Sequence, residues 1–277
     1  MTRNALFPAT PNEFFGFKRH PFIDQPGEAE PLFSEHEERM LMMAMEMLRI
    51  GKSFVLTGAP GTGKTTFVRH LRERLDSRAF LPVFLPYSGL NRAGMLKTLA
   101  AACNLDLGKR TVPPLIRIQK HLLDLAQDKN PRFPVMIVDD AHLLEQESLL
   151  DLCALLADPD QKRSSASLIL VGDETLERRL RLNVLAPVWT RMACSLSTRH
   201  LDESEVTQFI QKQIDRAQAP KDLIQTDAIA MLAAKTRGNR RELLNTATVL
   251  LTEAMLRNEK VINAQLVLSS EFWKTTG

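Results

Sequence analysis

The segment Gly58-Ala59-Pro60-Gly61-Thr62-Gly63-Lys64-Thr65 follows directly on the apolar run Phe54-Val55-Leu56-Thr57 and opens a helical stretch through Thr66 to about Leu75. The spacing G-x-x-x-x-G-K-[ST], set between a strand and a helix, constrains the fold more than any other feature of the chain. Gly58, Gly61 and Gly63 permit the dihedrals that turn successive backbone N–H groups inward around a polyphosphate. Lys64 sets a point charge against the outer phosphates, and the Thr65 hydroxyl is a ligand suited to Mg²⁺. The helix presents its positive N-terminal end to the same anion. These residues imply a site for a nucleoside triphosphate, with ATP and Mg²⁺ as the expected cofactors.

With 277 residues, 44% hydrophobic and 25% charged, the chain suits one large α/β domain with a small appendage. No apolar run approaches the roughly 18–20 residues that span a bilayer. The opening MTRNALFPATPNEFFGF lacks the apolar core of a secretory leader. A cytoplasmic protein without direct membrane insertion is the expectation. Cys103, Cys153 and Cys194 are widely spaced and odd in number, and read as reduced core residues. A net charge of +3 permits a nucleic-acid partner without demanding one.

Residues 1–35, rich in Pro and Phe, read as an extended arm. A helical pattern then runs from His36 to Leu48, with Met40, Met43, Ala44 and Met47 on one face. Apolar runs of strand type follow at Phe54–Thr57, Pro82–Leu85, Val135–Asp139, Ser167–Val171 and Met192–Thr198. Helical stretches follow the first four, and this β-α repeat predicts a parallel sheet covered on both faces. From Asp202 to about Ser269 only helical periodicity remains, with Leu223, Ala230 and Met231 in one helix and Leu243, Leu244, Ala247, Leu250 and Leu251 in another. The expected organisation is an arm (1–35), an α/β nucleotide-binding domain (36–200) and a helical lid (201–277).

The run Val135-Met136-Ile137-Val138-Asp139-Asp140 ends in two carboxylates, 75 residues after the loop lysine. Asp139, at a neighbouring strand's C-terminal end, is placed to hold Mg²⁺ beside Thr65. Asp140 stands where hydrolysing relatives usually carry Glu, one methylene longer. It reads as a base, a weakened base or a residue in the outer shell of Mg²⁺, because a displacement of about 1 Å costs on the order of 100-fold in rate. His142 reads as a surface or cap residue. Asp173, closing Ser167–Gly172, reads equally as a sensor of the γ-phosphate or as the N-cap of a helix at Glu174–Leu182. Arg191 and Arg241 suit phosphate because arginine stays charged and offers several donors.

In order, these motifs resemble the ExeA/GspA-type branch of the AAA+ ATPases. Phe14-Phe15-Gly16-Phe17 with His20-Pro21-Phe22 is similar to that branch's opening signature. GAPGTGKTTF, VDDAHLL, LILVGDETLERRL, Arg191 and TRGNRREL are similar to the motifs that follow, so the likeness covers roughly residues 14–265. The resemblance implies a five-stranded parallel sheet in the order 5-1-4-3-2, a helical lid, and nucleotide held between subunits of a ring or filament. It implies a finger role in trans for Arg191, a lid sensor role for Arg241, and a place near the adenine for Phe22 and its backbone. The chain departs from the pattern at Asp140, at Asp173, and at Arg240, where relatives often carry Pro.

Secretion-type members of this branch continue past the lid into a membrane span, whereas short members resemble the transposition ATPases of the IstB/TniB/TnsC kind. Because the lid here ends near Gly277, the expectation is a slow ATPase that assembles on duplex DNA and recruits a transposase. A secretion or envelope-assembly ATPase acting through a protein partner is the alternative. Candidate phosphate contacts are Arg92, Lys97, Lys109 and Arg110. With one Tyr and two Trp in the chain, stacking on single strands is poorly supplied and duplex is favoured.

Overall fold

The computed structural model describes residues 10–23, 31–86, 89–108, 111–127, 130–157 and 164–272. The chain divides into two compact units, Glu35–Arg199 and a second made of Met1–Ser34 with His200–Gly277. The first unit holds the strands β1 (Ser53–Thr57), β2 (Phe80–Leu85), β3 (Phe133–Val138), β4 (Ser167–Val171) and β5 (Met192–Ser197). In chain order the helices are α1 (Pro11–Phe15), α2 (Glu35–Arg49), α3 (Lys64–Arg74), α4 (Arg92–Ala102), α5 (Pro114–Gln127) and α6 (Gln146–Leu155). They continue as α7 (Glu174–Leu180), α8 (Ala186–Trp189), α9 (Glu203–Ala217), α10 (Thr226–Thr236), α11 (Arg240–Leu256) and α12 (Ala264–Ser269).

The strands form one parallel sheet in the order β2-β3-β4-β1-β5, which is the expected order read from the opposite edge. Continuous apolar runs occupy the centre, where both faces are covered. Every residue of β1 and β4 is buried. The alternation of side chains sends Val55, Met136, Val138, Leu168 and Leu170 into a core shared with α4, α5 and α6. Phe54, Leu56, Ile137 and Ile169, fully buried on the other face, lie on the side where α2 packs on β1 and α3.

Proline marks the margins of the sheet. Pro82 sits in the edge strand β2, and Pro134 precedes the first pairing of β3 with β4 at Val135 and Ser167. Neither interrupts a ladder flanked by strands on both sides. Strand β5, at the other edge, alternates buried and exposed residues and carries exposed Ser195 and Ser197.

Helix α2 differs from its sequence reading in its buried face. Glu37, Met40, Leu41, Ala44 and Leu48 are buried, while Met43 is 47% exposed. Met40 and Ala44 of the expected face are buried, and Leu41 and Leu48 take the places expected of Met43 and Met47.

In the second unit, α9, α10, α11 and α12 bury Ile210, Ile214, Leu232, Leu243, Ala247 and Leu250 around a single core. The stripe of α10 is Ala228, Ile229, Leu232 and Ala233, in place of the expected Ala230 and Met231, and Leu223 is buried just before that helix. The N-terminal arm is also folded in part. Thr10 and Glu13 form a reciprocal capping box that starts α1, and Gly16, at φ 79°, ends it. Phe14 meets Phe15 edge-on at 4.7 Å, Phe15 stacks on Phe17 at 5.2 Å, and Lys260 lies 3.4 Å from the Phe14 ring centroid. Phe15, Phe17 and Phe22 belong to the helical core.

Candidate functional site

The site begins where β1 stops and the chain must turn back into α3. Gly61 and Gly63 hold φ of 82° and 98°, the left-handed region that glycine enters without a Cβ clash. Gly58 is needed for room as well. A Cβ there would lie 2.1 Å from Thr198 Oγ1 and 2.6 Å from Thr198 O. Thr198, just past β5, is 2.7 Å from the buried Thr62 hydroxyl, which donates to Ala59 O at 2.8 Å. The phosphate loop is therefore braced by the neighbouring strand end. Lys64 Nζ donates to Gly58 O at 2.6 Å and Ala59 O at 3.0 Å, so its ammonium stands at the loop. Pro60 lies in the turn, and Thr66 is half-buried in the first turn of α3.

The acidic half of the site comes from the end of β3. Asp139 is 8% exposed. Its Oδ2 accepts from the Thr65 hydroxyl at 3.4 Å, and its Oδ1 accepts from the Asp140 N–H at 3.0 Å. Burial raises the Asp139 pKa above the ordinary aspartate value, against the lowering effects of the Asp140 amide, Thr65 and Lys64. A desolvated carboxylate is stabilised as an anion by a nearby cation. Carboxylate and hydroxyl oxygens are the hard donors that Mg²⁺ takes, with substrate phosphates completing its shell. The residues present fit Mg²⁺ and a triphosphate.

Asp140 follows in the left-handed region at φ 50° and opens a tight helical turn over Ala141–Leu143. Few non-glycine residues stand there, and such positions cluster at functional sites. Asp173 caps α7, its Oδ1 accepting from Thr175 N at 2.9 Å. Its other oxygen lies 3.8 Å from His142 Nε2. Burial favours the neutral acid, yet the Thr175 hydroxyl and amide and the His142 imidazole bring the Asp173 pKa below its ordinary value. His142 thus faces the Asp173 carboxylate, and its side chain is only 21% exposed. Nothing in the local sequence marks that pairing, since the partner lies on another strand end.

The remaining candidates are dispersed. Arg191 is exposed immediately before β5, whose first residue, Met192, pairs with Ser53 of β1. The loop leaves the other end of β1, about 17 Å further along the strand at ~3.3 Å per residue. Arg241 is exposed in the first turn of α11, behind the Asn239 cap. Its neighbour Arg240 is buried with its guanidinium 5.6 Å from the Phe209 ring centroid. Phe22 is 3% exposed, so its ring is spent in the helical core. Arg92 closes on Asp151 with bonds of 2.6 and 2.8 Å, which occupies the guanidinium edge that phosphate would use. Lys97 is exposed on α4, and Lys109 and Arg110 lie outside the described residues.

Residues 49–180 match the family model described as the AAA domain. General secretion pathway protein A of Aeromonas hydrophila is 29% identical over 232 residues, which cover 79% of this chain and 40% of that protein. The chain thus spans less than half the length of this relative. Among solved structures, the Aeropyrum pernix ORC2 protein in its ADPNP-ADP complexes is similar with a TM-score of 0.68 at 14% identity, covering 91% of this chain and 70% of that one. The Aeropyrum pernix ORC1 protein in complex with DNA is similar with a TM-score of 0.65 at 17% identity, covering 88% and 66%. At these identities the structures speak for the fold. The chain is thus similar to the AAA domain over residues 49–180 and to general secretion pathway protein A over most of its length, on a five-stranded parallel sheet.

Proposed function

We propose that the chain binds ATP with Mg²⁺ at Gly58–Thr66 and hydrolyses it slowly, as a homo-oligomer that assembles on duplex DNA. The observation that carries the nucleotide reading is the convergence of Lys64, Thr65 and Asp139, joined by hydrogen bonds of 2.6 to 3.4 Å to a loop built on glycine. The loop amides and Lys64 bind and orient the phosphates. Thr65 and Asp139 would hold Mg²⁺, which when bound would supply charge neutralisation for the phosphoryl oxygens. Asp140 orients and deprotonates the attacking water, and its reach, one methylene shorter than Glu, makes turnover slow. Arg191, at the far end of its own sheet from its own loop, completes the site of a neighbouring subunit. Arg241 acts from the helical unit on the γ-phosphate, and the backbone around Phe22 contributes to the adenine site.

The DNA reading rests on the basic balance of the chain and on fold likeness to the Aeropyrum pernix ORC1 protein, solved in complex with DNA. Recruitment of a transposase by the ATP-bound assembly is the specific role within it, and Lys97, Lys109 and Arg110 are the proposed backbone contacts. The homology to general secretion pathway protein A favours a second reading, an ATPase acting through a protein partner in secretion. Among the described residues no helix is long and apolar enough to cross a membrane.

A gel-shift titration on duplex DNA, with and without a slowly hydrolysed ATP analogue, separates the two. The DNA reading expects ATP-dependent retardation that weakens steeply with salt, with a log–log slope of about −0.9 per phosphate contacted. Replacing Lys109 and Arg110 by Ala should flatten that slope and weaken all sequences alike. Absence of retardation at micromolar protein and low salt leaves the secretion reading.

A further inference from the structure

The acidic end of β4 poses an electrostatic problem. Gly172 N donates to Leu56 O at 3.0 Å, so Asp173 stands at the same sheet edge from which the phosphate loop departs. Asp139 ends the strand on the other side of β4. Another ionised carboxylate on this edge repels a triphosphate. The structure sets an imidazole against this carboxylate. His142 packs on the Gly172 backbone so closely that a Cβ there would lie 3.3 Å from its Nδ1. That orientation turns Nε2 toward Asp173 Oδ2 at 3.8 Å, while Thr175 engages Oδ1. From the same corner, Arg179 donates to the carbonyls of His142 and, at 2.8 Å, Leu144. The end of β4 and α7 therefore grip the turn that begins at Asp140 through both the His142–Asp173 side-chain contact and a guanidinium clamp.

We propose that His142 is a positioning residue of the nucleotide site: its imidazole holds the outward oxygen of Asp173 away from the γ-phosphate and ties Asp173 to the turn carrying Asp140. This inference rests on the ATP reading above. It assigns His142 a role in telling the triphosphate from the diphosphate, because only the γ-phosphate is exposed to the carboxylate that His142 restrains.

The test is the affinity of a slowly hydrolysed ATP analogue and of ADP, measured by calorimetry for the parent and for His142→Ala, Asp173→Asn and the double variant. His142→Ala should weaken the triphosphate by about tenfold, a coupling of ordinary size for side chains in contact, and ADP by less than about twofold. Asp173→Asn removes the repelling charge, so the double variant should bind the triphosphate within about twofold of Asp173→Asn alone. A general disturbance of the turn predicts the opposite, equal weakening of both nucleotides and no rescue by Asp173→Asn. Either result overturns the proposal while leaving nucleotide binding intact. A parent protein that binds neither nucleotide overturns the ATP reading and this inference with it. His142→Gln keeps a donor at the reach of Nε2 and should retain most of the triphosphate preference, which preserves the test if the alanine variant fails to fold.

Discussion

The Thr62 and Thr198 hydroxyls meet at 2.7 Å across 136 residues of sequence, joining the phosphate loop to the end of β5. Both side chains are buried, so the contact is shielded from competing water. Thr198 Oγ1 is also 3.2 Å from Thr57 O, which ties the brace to the last residue of β1. Thr198→Val keeps the shape and removes the hydroxyl. It should cost about 1 kcal/mol of stability, the usual net value of a hydrogen bond, and weaken nucleotide binding several-fold. Thermal unfolding and calorimetry on the same sample check both effects, and unchanged affinity would show that the brace does not shape the loop.

Gly58→Ala tests the same contact from the other side. The added methyl group falls on Thr198 Oγ1 and on the Thr198 carbonyl, which is backbone and has little freedom to move. The loop must then open, and nucleotide binding should be lost while the fold is retained. Circular dichroism paired with nucleotide titration distinguishes this from global unfolding.

Asp140 carries the prediction on rate. Asp140→Asn should reduce ATP turnover by at least about 100-fold, the lower end of what a positioned general base usually contributes. Asp140→Glu should leave turnover equal or faster, because the longer side chain restores reach. Steady-state phosphate release decides, and a parental rate in Asp140→Asn would pass the role of base to another group.

The strands and their parallel pairing were legible because the central strands are unbroken apolar runs separated by helices, while their order followed only from the family resemblance. The loop and Asp139 were readable because function there depends on residue type and spacing. Contacts between distant segments were not. His142 and Asp173 are 31 positions apart, and only the adjacency of β3 and β4 brings them together. Arg92 looked like a free cation until the fold set Asp151 against it. The aromatic residues of the arm have no helical or strand period beyond one short turn. Burial of Phe15, Phe17 and Phe22 depends on the helical unit they pack into, which local pattern does not encode.

Arg191 lies at the opposite end of β5 from the strand end that braces the loop, and this makes a complementation experiment decisive. Arg191→Ala should abolish ATPase activity while sparing nucleotide binding, and ATP should raise the sedimenting mass of the parent. Mixing Arg191→Ala with Lys64→Ala subunits should recover part of the activity, because a competent pair then forms across the interface. No recovery, with mixed assemblies demonstrated by sedimentation, would place the action of Arg191 elsewhere.

Cysteine chemistry offers a check on the core. Burial pushes the Cys103 thiol up to about 11, and Cys153 is also buried and raised. Thiolate is the reactive form, so a thiol reagent at pH 8 should label the half-buried Cys194 first and Cys103 only on unfolding. Peptide mapping after timed labelling reads the order, and early modification of Cys103 would contradict its placement in the core.

The most direct measurement is a calorimetric titration of ATP with Mg²⁺ into the parent and into Lys64→Ala. Lys64 contributes a charge-assisted contact worth roughly 1.5–3 kcal/mol, so its removal should weaken binding by about 10- to 100-fold with the fold unchanged. Omitting Mg²⁺, or replacing Asp139 by Asn, should also weaken binding to the parent. Equal affinity in parent and Lys64→Ala, with or without Mg²⁺, would contradict nucleotide binding at the Gly58–Thr66 loop.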